Sequence, residues 1–302
     1  MNAEQLPTVR GTYLGNADLS ALTWFRVGGP ADVLFQPKDE DDLSAFLAEL
    51  DPAIPVTTLG VGSNTLVRDG GVRGVVIRLG GEFGKIEIDE TRVYAGAACL
   101  DAQVAKRAAR AGVAGLEFFR GIPGTIGGAL AMNAGAYGSE TKDVLVEATA
   151  IDRSGRKHIF TCKDMRFSYR HSDPGEGLVF TSALFRGRLD EPSLIEARMK
   201  EIMETRERTQ PIRERTGGST FANPDPALSN GRSAWQLIDD IGGRERVIGD
   251  AQVSGRHCNF MINRGNATAE DLETLIESLR KDVLTKTGVE LRWEIRRIGE
   301  KA

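Results

Sequence analysis

The stretch RGIPGTIGGALAMNAGAYG, from Arg120 to Gly138, decides how the rest of the chain is read. After Arg120 it has no charged residue, and Gly121, Gly124, Gly127, Gly128, Gly135 and Gly138 crowd it with glycine. A membrane span needs about twenty predominantly apolar residues. Here the apolar bulk is mostly Ala and Gly, Pro123 and Asn133 lie inside, and no basic flank or aromatic belt supports insertion. A flexible linker would be Gly/Ser-rich, whereas Ile122, Ile126, Leu130 and Met132 belong in a core. A packed turn and helix remain. Pro123 and Gly124 precede a helix expected to start near Thr125, and Gly127 and Gly128 remove side chains from its first turn. Free amides and the positive dipole end lie in that turn. Bare backbone of this kind lets a phosphate, or the flat ring of a cofactor, touch the main chain.

Upstream, LGVGSN (Leu59–Asn64) leaves a strand and turns sharply. Gly60 and Gly62 can take positive φ and bring backbone N–H groups close to an anion. Ser63 and Asn64 add short polar side chains. Alone, the segment reads as an ordinary tight turn. Thr65 stands at the third glycine position of the dinucleotide fingerprint, and the Gly-Lys-Ser/Thr ending of a nucleoside-triphosphate loop is absent. Two bare loops about sixty residues apart in one domain nevertheless suggest one ligand held at both ends.

The whole chain sets bounds on that ligand's host. Its 302 residues make room for about two domains. Hydrophobic content of 40% with 27% charged residues is that of an ordinary folded, soluble protein. A net charge of -4 argues against a nucleic-acid partner. MNAEQLPTVRGTYLG at the start has no apolar core, so no secretory signal is expected. Cys99, Cys162 and Cys258 are odd in number and far apart, which reads as reduced thiols in the cytoplasm. His158, His171 and His257 lack metal-ligand spacing, and no metal site is expected.

Along the chain, ADVLFQP reads as a strand, and KDEDDLSAFLAEL as a helix with Leu43, Phe46, Leu47 and Leu50 on one face. IPVTTLG, GVVIRLG, KIEID and RVYAGAA are short β segments, and LDAQVAKRAARAG is a helix stopped by Gly112. Further β runs follow around VLVEATAID, HIFTC and GLVFTSALFRGRL. The class is α+β, without the strand–helix alternation of a doubly wound sheet. EPSLIEARMKEIMETRERTQP is a charged helix whose Leu194, Met199, Ile202 and Met203 are only loosely periodic, and AWQLIDDIG a short helix stopped by Gly242. ATAEDLETLIESLRKDVLTKTG is a long helix with Leu272, Leu275, Ile276, Leu279 and Val283 on one stripe, capped by Thr268 with Asp271 and ended by Gly288. LRWEIRRIG alternates as a half-buried strand. The domain boundary is expected near 192, giving domains 1–192 and 193–302.

Taken together and in order, TWFRVGGPAD, LGVGSNTLVRD, GLEFFRGIPGTIGGALAMNAGAYG, FSYRHS, TGGSTFANP, AWQLID, VSGRHCNFMIN and WEIRRIG resemble the UDP-N-acetylenolpyruvoylglucosamine reductase (MurB) family. The resemblance runs from Thr23 nearly to the C-terminus. It implies an FAD-binding domain of the vanillyl-alcohol-oxidase fold, made of two α+β subdomains, and a smaller α+β substrate domain. It implies FAD and NADPH as cofactors and a nucleotide-sugar substrate in bacterial cell-wall synthesis. Hydride would pass from flavin N5 to C3 of UDP-N-acetylglucosamine enolpyruvate, and a proton to C2. The flavin site would take Gly60, Val61, Gly62, Ser63 and Asn64 from one loop. From the other it would take Gly121, Ile122, Pro123, Gly124, Thr125, Gly127, Gly128 and Ala129.

By the same resemblance Arg170 stands beside the substrate carboxylate, where its fixed charge can stabilise an enolate. Ser219 matches the proton donor and Glu294 the acidic group at the enol centre. From the residues alone, Arg170 reads as surface, Ser219 as a turn residue and Glu294 as the outer face of the last strand. Tyr169 and Asn223 complete the expected substrate contacts. Ala222 replaces the usual family lysine, which makes Arg213 the candidate substitute. The short connection from Arg170 to Ser219 has no room for a tyrosine-bearing insertion, so the chain looks like the short-loop branch. A rival reading is an FAD-dependent oxidase of the same fold acting on a small alcohol. Such enzymes often tether flavin through His or Cys, and neither loop contains one.

Overall fold

In the computed structural model, which describes residues 6–302, the helix Ala269–Thr287 buries Leu272, Leu275, Ile276, Leu279 and Val283 along one stripe. Its start carries a reciprocal cap. The Asp271 N–H donates to the Thr268 hydroxyl and the Thr268 N–H to the Asp271 carboxylate, both at 3.0 Å. Gly288 ends it in the left-handed region at φ 72°. The stripe shares a core with Phe25, Val27, Leu66, Phe221, Leu237, Ile238 and Leu291. Each large aliphatic buried there contributes about 1.5–3 kcal/mol against about 1 kcal/mol for a cap, so packing holds this helix.

Phe25, Val27 and Leu66 come from early in the sequence, and the chain divides accordingly into two compact units. One consists of the residues up to Gly15, Asp32–Gly60 and Gly74–Thr205; the other of Asn16–Ala31, Val61–Arg73 and Arg206–Ala302. A contiguous boundary near 192 differs from this division in two ways. The second unit recruits two early segments to close its core. The helix Pro192–Thr209 begins at the expected boundary but buries Ile195 and Met199 in the first unit's core, leaving Leu194 exposed.

The first unit is built on a five-stranded antiparallel sheet in the order Lys157–Thr161, Leu145–Ile151, Val179–Arg186, Arg92–Gly96, Ile86–Asp89. The helix Asp101–Arg110 joins its core through Val104, Ala105, Ala108 and Ala109, and the helix Ile126–Met132 through Ile126, Ala129 and Leu130. The helix Glu40–Glu49, capped by Asp39, buries Leu43, Phe46 and Leu47 with Phe35, Val75 and Ile77. Among the described residues no helix is long and apolar enough to cross a membrane.

In the second unit, the terminal LRWEIRRIG segment is not one strand. Arg292–Trp293 pairs antiparallel with Phe221–Ala222, and Arg296–Ile298 pairs parallel with Thr65–Val67. The chain changes partner at Glu294 and Ile295. Leu291 and Ile295 are buried on the expected face.

Candidate active site

In the first unit Gly60 lies against the glycine-rich stretch. A Cβ at Gly60 would come 2.7 Å from Thr125 Oγ1, so the missing side chain is what allows the approach. Its φ is not positive; of the two loop glycines only Gly62, at 63°, takes the left-handed region. Within the stretch most glycines face the protein itself. Added Cβ atoms would meet the Tyr137 ring at 2.4 Å from Gly121, the Asp101 carboxyl at 2.6 Å from Gly124, and Ala97 at 3.2 Å from Gly127. Gly128 differs. It is exposed, and the nearest atom to a Cβ there is Thr125 Oγ1 at 3.7 Å. Thr125 does not cap the helix with its side chain. Its hydroxyl therefore stands between Gly60 and Gly128.

Two of the amides expected to be free in the first helical turn are paired. The Ile126 N–H donates to Cys99 O at 3.0 Å and the Gly127 N–H to Ala97 O at 2.9 Å. The turn docks on the segment that continues strand Arg92–Gly96, and buried amides are satisfied there internally. The helix is also only seven residues long. What this surface leaves open is the face of Gly128, with the Thr125 hydroxyl beside it. Ile122, Pro123 and Gly124 are half-buried, and Ala129 is buried in the core. Beneath Gly124 lies fully buried Asp101, neither of whose carboxyl oxygens makes a hydrogen bond. Burial pushes its carboxyl well above the usual carboxylate range.

Tyr169 and Arg170 occupy the centre of a tight turn in the same unit. The Ser168 N–H donates to His171 O at 3.0 Å and the His171 N–H to Ser168 O at 3.3 Å. Arg170 has φ 56°. A non-glycine residue in a sparsely populated region costs about 1–3 kcal/mol and is found most often at functional sites. Its guanidinium carbon lies 5.1 Å from the centroid of the exposed Tyr169 ring, a cation–π distance.

The second unit brings Ser219 and Glu294 together through the main chain. Thr220 O accepts from the Glu294 N–H at 2.9 Å, so Glu294 is held one residue from Ser219. Gly217 packs on Phe25, where a Cβ would sit 2.3 Å from the ring. Gly218, at φ 81°, has nothing nearer to a Cβ than Ser63 O at 3.9 Å. Asn64 braces this arrangement: its Nδ2 donates to Glu294 O at 3.1 Å and its carbonyl accepts from the Arg296 N–H at 3.0 Å. That brace is hidden in the sequence, where Asn64 reads as a polar residue of the glycine loop and, by the resemblance, as part of the flavin site. Asn223 Oδ1 accepts from the Ala234 N–H at 3.1 Å, which leaves its NH₂ group for other contacts. Arg213 is exposed in the turn that follows the long charged helix.

These features belong to an α+β protein with an FAD-binding domain. Residues 31–161 match the family described as FAD binding domain. Residues 210–298 match the one described as UDP-N-acetylenolpyruvoylglucosamine reductase, C-terminal domain. The chain is 60% identical over 299 residues to a UDP-N-acetylenolpyruvoylglucosamine reductase of Phenylobacterium zucineum, covering 98% of each. It is 58% identical over 297 residues to that of Maricaulis maris, covering 98% of this chain and 94% of the relative. The crystal structure of the Thermus caldophilus reductase is similar at a TM-score of 0.83 and 32% identity, over 97% of this chain and 100% of that one. The chain belongs to the UDP-N-acetylenolpyruvoylglucosamine reductase family.

Proposed function

We propose that the chain reduces UDP-N-acetylglucosamine enolpyruvate to UDP-N-acetylmuramate for peptidoglycan precursor synthesis in the cytoplasm, with NADPH as reductant. FAD, when bound, supplies the redox chemistry, a hydride taken from NADPH and given to C3 of the enolpyruvyl group. Gly60, Thr125 and Gly128 would hold it. Family membership over nearly the whole chain supports the reaction. The observation that supports the residue assignment is the Glu294 N–H bonded to Thr220 O, which holds the main chain of Glu294 opposite the residue after Ser219.

In this reading Ser219 Oγ holds the proton destined for C2. The carbon that gains it carries negative charge after hydride arrives, and a hydroxyl within hydrogen-bond reach can protonate it. Arg170 holds permanent positive charge toward the substrate carboxylate and the enolate that develops beside it. The left-handed backbone of Arg170 and the Tyr169 ring limit where that charge can point. Glu294 orients or exchanges a proton at the same centre, its main chain fixed by Thr220 and Asn64. Tyr169, Arg213 and Asn223 contribute substrate contacts.

The test is optical and chemical. The purified protein is expected to be yellow, and acid precipitation to release its flavin as FAD, because neither loop offers a tethering His or Cys. With the enolpyruvyl nucleotide present it should oxidise NADPH. A colourless protein that cannot be reconstituted with FAD would sink the proposal.

A further inference from the structure

We propose that Asn133 is a positioning residue that ties the Arg170 turn, and with it the Tyr137 turn, to the end of the helix Ile126–Met132. Its catalytic consequence rests on the role given to Arg170 above; its geometry does not. Asn133 ends the helix in the left-handed region, φ 42° and ψ 51°, and is completely buried. Both sides of its carboxamide are used. Nδ2 donates to Ser168 O at 3.1 Å and to Glu140 Oε2 at 3.2 Å, and Oδ1 accepts from the Lys142 N–H at 3.0 Å.

Those partners lie at the bases of two tight turns. Ser168 O is the carbonyl that closes the Tyr169–Arg170 turn with the His171 N–H. Just past it, Ser172 Oγ donates to Ala131 O at 3.1 Å, a second tether to the same helix. Glu140 ends the hairpin of Gly135–Ala136 with Ser139–Glu140, whose turn residues Tyr137 and Gly138 have φ 54° and 83°. One buried side chain thus fixes two turns, each holding an exposed tyrosine and a non-glycine residue in the left-handed region. Such conformations persist only where the surroundings over-determine them. Asn133 and Ser172 add to the pair of bonds between Ser168 and His171. The chemistry also selects the residue type. Glycine suits the backbone but makes none of the bonds, and aspartate would set a carboxylate against two acceptors, Ser168 O and Glu140.

Asn133→Gly keeps the left-handed backbone and removes the tether; Ser172→Ala removes the second tether alone and serves if the first variant fails to fold. Hydrogen exchange at the His171 amide, in the intact chain without cofactor, should quicken by about threefold to tenfold in Asn133→Gly, the effect of one lost hydrogen bond. In the loaded enzyme, flavin reduction by NADPH should keep its rate while reoxidation by substrate slows. Added to Arg170→Ala, Asn133→Gly should slow reoxidation no further. Unchanged exchange at His171 in both variants would overturn the tether, whatever Arg170 does. Equal slowing with and without Arg170 would overturn the positioning role. Wild-type reoxidation in Arg170→Ala alone would overturn the role given to Arg170, and exchange would then decide the tether by itself.

Discussion

The glycine-rich stretch of the first unit and the short Thr216–Phe221 segment of the second put glycine to different uses. In the first, a Cβ at Gly121, Gly124, Gly127 or Gly135 would meet protein atoms within 3.2 Å, while Gly128 at the helix start and Gly138 in the hairpin turn stay open. Most of that bareness closes the fold on itself. In the second, one glycine packs on Phe25 and the next opens its left-handed backbone directly before Ser219. A run of glycines therefore marks where backbone must come close, without saying to what. Tyr137, Asp101 and Ala97 are the answer at three positions, and a ligand is the proposed answer at Gly128.

The comparison can be broken hardest at Ser219. Ser219→Ala should leave bleaching of the flavin by NADPH near its normal rate and slow reoxidation by substrate by at least about 100-fold, the lower end of general-acid contributions. Ser219→Cys should recover part of the loss. Stopped-flow traces showing wild-type reoxidation in the alanine variant would make Ser219 an ordinary turn residue.

A smaller effect separates the two kinds of glycine within the first unit. Gly124→Ala sets a methyl group 2.6 Å from the Asp101 carboxyl and should cost the cofactor-free protein about 1–3 kcal/mol in urea unfolding. Gly128→Ala, on an open helical turn, should stabilise the same protein by about 0.5–1 kcal/mol. It should at the same time weaken FAD binding, measured by quenching of flavin fluorescence. Wild-type affinity for FAD in Gly128→Ala would remove that face from the cofactor surface.

The smallest effect concerns Asp101 and depends on pH. Its folded carboxyl is raised above the ordinary value by burial, so the folded state holds its proton longer than the unfolded chain. Stability from this group is then greatest below the ordinary carboxylate pKa. It declines as pH climbs from there to the raised folded value. Asp101→Asn cannot ionise, and should match the wild type in acid and exceed it at neutral pH by about 1 kcal/mol or less. A gap that does not change with pH would show that ionisation at this position costs nothing.

How much of this was legible in the sequence follows from how local each feature is. The helix Ala269–Thr287 was fully readable because its stripe, cap and stop are all set by residues within a few positions of one another. The cores and the α+β class followed from the same short-range periodicity. The second unit's early segments were not readable, since Phe25, Val27 and Leu66 are bound to it by packing across some two hundred residues. The pairing of the Ile126 and Gly127 amides with Cys99 and Ala97 escaped for the same reason. Alternation in LRWEIRRIG identified its buried face, but the change of partner at Glu294 depends on two strands elsewhere in the chain. Arg170, Ser219 and Glu294 were picked out by family resemblance alone. Local physics would have left them as surface, turn and strand edge.

The central claim is that flavin reduced by NADPH is reoxidised by the enolpyruvyl nucleotide. The direct measurement is anaerobic. The FAD-loaded protein is bleached with one equivalent of NADPH, and one equivalent of UDP-N-acetylglucosamine enolpyruvate is then added while absorbance is followed. The account predicts full return of the yellow colour with one equivalent of UDP-N-acetylmuramate formed. Flavin that stays bleached until oxygen is admitted, with the nucleotide recovered unchanged, would contradict it.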